Sequence, residues 1–135
     1  MAFTITLFYA GLLTLVYLAL SVQVVRLRRS LQVGLGTGGH EVLDRATRAH
    51  ANFGEYVPLA LLLIALLEAG TAAPVWLMHL LGLMLLFGRV MHGFMGLNRR
   101  AGYSPGRFWG TCLTWLVFLA AAVIGIVTAI GRWMI

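Results

Sequence analysis

Four long apolar stretches fill almost all of this chain, and they decide the solvent in which it folds. They run from Phe3 to Val25, Val57 to Leu67, Val75 to Phe87 and Phe108 to Ile130. With 61% hydrophobic and 10% charged residues among 135, and a mean hydropathy of +0.92, a soluble core of this size has no means of hiding so much apolar surface. A helix needs roughly 20 residues to cross the hydrocarbon layer of a bilayer. The first and fourth runs meet that length outright. The middle two extend at their polar ends into more amphipathic helix, which predicts spans of about Val42 to Glu68 and Val75 to Leu97. Backbone amides in lipid must be satisfied internally, and continuous rather than alternating hydrophobicity excludes a closed barrel. The expected fold is all-α, a single domain over residues 1–135 forming a four-helix integral membrane bundle.

The charges set the orientation. Arg26, Arg28 and Arg29 close the first helix, Arg45 and Arg48 open the second, and Arg99, Arg100 and Arg107 surround the third connection. Only Arg132 lies at the opposite surface, and the turn from Glu68 to Pro74 has no basic residue. Basic residues near helix ends are retained on the cytoplasmic side, so both termini are expected to face away from the cytoplasm. The first run has no charged segment ahead of it and no small-residue cleavage site, and is expected to remain as a span. The absence of targeting features and the compact design fit a bacterial inner membrane. The net charge of +6 and pI near 10.8 would suggest nucleic acid in a soluble protein, but here topology and an anionic ligand explain them. Nucleic acid is not an expected partner.

Other chemistries find little support. The loop from Ser30 to His40, with Gly34, Gly36, Gly38 and Gly39, has no P-loop lysine and follows no strand, and reads as a connector. Cys112 stands alone in the fourth run, which removes a disulfide framework or CxxC pair and leaves a small buried hydrophobe. His40, His50, His79 and His92 show no metal-ligand spacing, and His79 reads as a hydrogen-bonded packing residue.

The informative constellation lies in the second helix, D44-R-A-T-R-A-H-A-N-F-G-E-Y-V-P58. At about 100° per residue, Arg45, Arg48, Asn52, Glu55 and Tyr56 fall within an arc of roughly 100°, while Phe53, Val57 and Ala60 look elsewhere. A charge at bilayer depth costs about 2.5 to 3.5 kcal/mol on insertion scales, so Glu55 is expected to face protein or a wet pocket. In the third helix Arg89 and His92 share a face, which Gly96 continues. Pairing of Glu55 with Arg89 or Arg48 would be a sufficient structural account of any one residue. Several arginines converging beside one carboxylate imply a missing anion. A peptide-like ligand with carboxylates and a free amine fits, its carboxylates on arginine forks, its ammonium on Glu55 and a backbone amide on Asn52. Glutathione has that inventory.

At this point the chain resembles the membrane-associated proteins in eicosanoid and glutathione metabolism, the MAPEG family. R48-A-H-A-N52-x-x-E55-Y56-x-P58 is similar to that family's second-helix signature, and G88-R89-V-x-H92 to the third-helix pattern of the microsomal prostaglandin E synthase branch. Q23-V-V-R26-L-R28-R29 is similar to the basic end of the family's first helix. The resemblance covers most of the chain and implies a homotrimer with glutathione bound between adjacent subunits, in a pocket open to the cytoplasmic side. Its binding roles would fall on Arg26, Arg48, Asn52, Glu55, Tyr56, Arg89 and His92. The family's thiol-activating arginine, at the start of the fourth helix, matches Arg107. This chain has Gly96 where some catalytic members carry a tyrosine, and its connection from Leu97 to Gly106 is longer than in the branch with the matching third-helix pattern. Arg99 or Arg100 are alternatives to Arg107, and Tyr103 could return to the pocket from the loop.

The activity expected from the resemblance is that of a membrane glutathione transferase, in which an arginine-stabilised thiolate attacks a hydrophobic electrophile or peroxide arriving from the lipid. No metal is needed. The alternatives are a non-catalytic lipid-binding or scaffold member of the same family, an isomerase working through a glutathione adduct, and a small multidrug exporter. The last usually carries its membrane glutamate in the first helix, and this first helix has none.

Overall fold

A computed structural model describes residues 3–71, 73–98 and 102–134. It contains four long helices: α1 from Thr4–Leu31, α2 from Glu41–Gly70, α3 from Val75–Val90 and α4 from Pro105–Trp133. The third continues without interruption into a π-helical segment, Met91–Leu97, so that the full rod covers Val75–Leu97. All four rods are long and apolar enough to cross a membrane. The two middle spans agree with expectation within a residue or two at each end, whereas α1 runs six residues past Val25 and α4 extends three residues beyond its apolar run at each end. The π geometry of the last turns of α3 was not expected.

Contacts between helix ends fix the topology. Glu68, near the end of α2, meets Ile5 and Thr6 at the start of α1, so these two rods run antiparallel. Tyr9 in α1 meets His79 in α3, and Gln23 meets Asn98 beyond the π segment, so α1 and α3 run the same way. The arginine-bearing ends of all four rods therefore gather at one end of the bundle. Arg99 and Arg100 lie outside the described residues.

The core forms where small residues let helices approach. Leu13, Leu20, Phe53, Val57, Ala60, Ile64, Leu81, Leu85 and Val117 are buried in one continuous cluster. Between α3 and α4 the spacing is set by glycine: a Cβ on Gly110 would lie 2.6 Å from the Gly88 carbonyl oxygen, and one on Gly106 would lie 3.0 Å from that of Met91. Close backbone approach at small residues is the usual way helices associate in lipid, where dispersion contacts replace a hydrophobic drive. Leu7, Leu15, Leu62, Trp115, Leu119 and Val127 point outward and are exposed, which in a bilayer places them against lipid or another protein.

Two devices hold the termini of α1 and α4. The first turn of α1 has no side-chain cap of its own, and its orphan amides are taken by Glu68. The Ile5 and Thr6 amides donate to the two carboxylate oxygens, each at 2.8 Å, and the Thr6 hydroxyl adds a third bond at 2.6 Å. In α4, Ser104 accepts from the Arg107 amide at 3.3 Å and Pro105 occupies the first helical position. That cap fixes Arg107 on the opening turn.

Candidate functional site

At the arginine-rich end, α2, the π segment and α4 enclose a cavity of about 240 Å³ lined by Asp44, Arg45, Arg48, Asn52, His92, Leu97 and Arg107. Its walls are mostly polar because successive turns of α2 present Asp44, Arg48 and Asn52 on one stripe, four residues apart. Of the residues expected in a site, Arg48, Asn52, His92 and Arg107 come together here.

Arg89 lies behind this wall. Only 2% of it is exposed, and it donates to the Asn52 side-chain oxygen at 2.9 Å and to the Gly110 carbonyl at 3.2 Å. Its guanidinium carbon also sits 5.3 Å from the centroid of the Tyr56 ring, a cation–π distance. Arg89 and Tyr56 are thus bound to each other and to the wall, and neither lines the cavity. Because Asn52 accepts through its oxygen, its amide nitrogen is the group left to donate elsewhere. His92, also buried, lies within the electrostatic reach of both Arg89 and Arg107.

The arginine surplus is smaller than the sequence suggested. Arg48 pairs with Glu55 at 3.7 Å, and Arg45 pairs with Glu41 at 3.0 Å. The Arg48–Glu55 pair has both side chains about half exposed, and Glu55 is outside the cavity lining. Arg26 is exposed on α1 and also stands apart from this cavity. His50 stacks on Tyr17 with ring centroids 4.4 Å apart, on the α1 side of α2, and His79 shares a 3.1 Å hydrogen bond with the Tyr9 hydroxyl.

Arg107 belongs to two cavities. Besides the polar one, it lines a space of about 400 Å³ with Tyr103, Ser104, Phe108, Thr111, Cys112 and Trp115. That wall is mostly apolar and aromatic. The long loop therefore does bring Tyr103 beside Arg107, its ring 6.3 Å from that of Phe108. Arg107 is the third residue of α4, where the helix dipole adds positive potential to its own charge.

Gly96, in the π turn, lets α4 reach this point. A Cβ on Gly96 would lie 2.8 Å from the Arg107 nitrogen and 3.0 Å from its Cα. The backbone of Arg107 thus fills the space where a larger side chain at position 96 would stand. π-helical turns of this kind are often found at functional sites.

Sequence reasoning missed Asp44 as a cavity residue. The helical arithmetic that grouped Arg48 with Glu55 places Asp44 on the same stripe, one turn earlier, so the signal was present. Cys112 was read as a buried hydrophobe, whereas it is partly exposed and faces the apolar cavity.

Comparison with known proteins gives a consistent picture. The model of the MAPEG family matches residues 6–127. The chain is similar to the inner membrane protein YecN of Escherichia coli K12, at 38% identity over 111 residues, which is 82% of each chain. YecN from Escherichia coli O6:H1 (strain CFT073) matches equally, at 38% identity over the same share of each. No solved structure matches significantly.

Proposed function

The chain belongs to the MAPEG family, and on that premise we propose that it is a membrane glutathione transferase that activates the glutathione thiol at Arg107 for attack on a hydrophobic electrophile or peroxide. The observation carrying this reading is that Arg107 lines both a polar cavity and an apolar one. A reaction between a charged tripeptide and a lipid-soluble partner needs two such compartments with the activating group between them. Arg48 and Asn52 hold acceptor groups of the peptide, and the apolar cavity receives the partner from the bilayer.

The chemistry asked of Arg107 is modest. A free cysteine thiol has a pKa of about 8.5, so only a few per cent is thiolate at neutral pH. The Arg107 guanidinium and the amino end of α4 favour the anion, the sulfhydryl proton leaving to water. With a carbon electrophile the thiolate sulfur then forms a bond to that carbon as the leaving group departs with its electron pair; with a peroxide it attacks oxygen, the O–O bond breaks to release the alcohol, and a second glutathione converts the resulting sulfenic acid to the disulfide and water. Each unit of pKa lowering requires about 1.4 kcal/mol of preferential stabilisation.

A cavity of about 240 Å³ is small for a whole ligand, since ligand pockets run from roughly 300 to 1,000 Å³. This supports a homotrimer in which an adjacent copy completes the pocket and the exposed Arg26 contributes across the interface. The inner membrane is the proposed location, as the name of YecN says of that protein, with the arginine-rich end toward the cytoplasm.

Incubation of the purified chain with glutathione and a chlorodinitrobenzene, followed by product analysis, tests the reading. A thioether conjugate is expected. Glutathione binding without turnover would favour a non-catalytic member of the family, a reading to which the backbone-filled space at Gly96 lends some weight.

A further inference from the structure

At the end of the bundle opposite the polar cavity, α2 and α4 flank a groove of about 320 Å³. Its deep end is apolar, lined by Leu63, Leu66, Ala121 and Gly125, and its mouth is polar, with Thr128 and Arg132. Glycine keeps it open. A Cβ on Gly125 would find nothing nearer than the Leu67 side chain at 3.9 Å, and one on Gly70, also in the lining, would meet nothing within 4 Å. The residue type that draws α3 against α4 thus leaves a depression between α2 and α4.

Arg132 is the one arginine at this end among the described residues, and it makes no ion pair or hydrogen bond with any of them. Glu68, the acidic residue of this end, is turned to α1, where it holds the Ile5 and Thr6 amides. The exposed Trp76 and Trp133 mark the boundary between hydrocarbon and headgroups, the level at which lipid phosphates lie. From Ala121 to Arg132 the groove follows α4 for eleven residue steps. At 1.5 Å per residue that is about 16 Å, and one leaflet of a hydrocarbon layer roughly 30 Å thick is about 15 Å deep.

We propose that this groove binds an anionic phospholipid of the leaflet away from the cytoplasm. One acyl chain lies against Leu63, Leu66 and Gly125, and the headgroup rests on Arg132 with the Thr128 hydroxyl as a second donor. An unpaired cation at the headgroup end of a leaflet-deep apolar recess suits an amphiphile with one negative end. A soluble anion would leave the recess unfilled. Arg132 also lies in the last turn of α4, where a cation complements the helix dipole. That role affects stability and gives no preference between headgroups. The assignment is independent of glutathione.

The test uses the full chain, purified in detergent and stripped of lipid, with far-ultraviolet circular dichroism to confirm that each variant is folded. It is titrated with phosphatidylglycerol and with phosphatidylcholine of the same acyl chains, and native mass spectrometry reads bound lipid and the number of copies. Wild type is expected to bind one lipid per chain, phosphatidylglycerol roughly fivefold more tightly than phosphatidylcholine. Arg132→Gln should bind the two alike, and Arg132→Lys should keep a preference. Gly125→Leu, which fills the groove and leaves Arg132 in place, should lose both. The proposal is overturned if wild type binds neither lipid or shows no preference, if Arg132→Gln keeps the preference, or if Gly125→Leu binds as wild type does. It is also overturned if Gly125→Leu separates an oligomer into single chains, which would make the groove a seam between copies.

Discussion

Arg89 of α3 donates to the side-chain oxygen of Asn52 in α2 at 2.9 Å, tying a nearly inaccessible guanidinium to the wall of the polar cavity. A buried cation is retained only where hydrogen bonds offset its desolvation. Here the Gly110 carbonyl and the Tyr56 ring add to that bond, while the buried Nε finds no hydrogen-bond partner among the described residues. Arg89 thus orients Asn52 in the cavity wall and is not itself part of the cavity lining.

Replacement of Asn52 separates these roles. Asn52→Leu leaves a buried charged donor without its partner and is expected to lower stability by roughly 1 to 3 kcal/mol. Asn52→Asp keeps an acceptor for Arg89 and should fold with at least wild-type thermal stability, yet it removes the donor facing the cavity. Calorimetry should show glutathione binding weakened by about tenfold or more in the aspartate variant. Equal affinity would mean that Asn52 meets no ligand.

Gly96 sets the position of Arg107. Because a Cβ there meets the Arg107 backbone at 2.8 Å, Gly96→Ala must push the start of α4 outward. The expected cost is about 1 to 3 kcal/mol in unfolding, with a loss of conjugation rate larger than the loss of glutathione affinity. Unchanged rates in the alanine variant would show that the placement of Arg107 is not critical.

Much of this bundle was legible because continuous apolar runs of spanning length admit few folds in lipid. Val75–Leu97 was recognised as one rod, and the stripe from Arg45 to Tyr56 was recognised as polar. The partners were not. Helical angles tell which side chains share a face, but Glu55 lies within reach of more than one long arginine, and the folded packing gives Arg48 to Glu55 and Arg89 to Asn52. The close approach of the π turn to α4 depends on glycines of two helices meeting, Gly96 against Arg107 and Gly106 against Met91 and Met95, and no local pattern signals it. Glu68 capping α1 is a contact across more than 60 residues, equally invisible to a local reading.

Glu68 makes a prediction independent of the site. Glu68→Ala frees the Ile5 and Thr6 amides and should destabilise the chain by about 1 to 2 kcal/mol. Hydrogen exchange at those two amides should accelerate, while glutathione affinity stays within twofold, since the cavity lies at the other end of the bundle. A matching loss of affinity would indicate that the two ends are coupled.

The central claim is that Arg107, between a polar and an apolar cavity, holds glutathione as its thiolate. Titration of glutathione into the detergent-solubilised chain at neutral pH, followed by the ultraviolet absorbance of the thiolate, tests it most directly. Wild type is predicted to bind and to develop the thiolate band, and Arg107→Ala to bind without developing it. Binding without ionisation in wild type, or an undiminished band in Arg107→Ala, would contradict it.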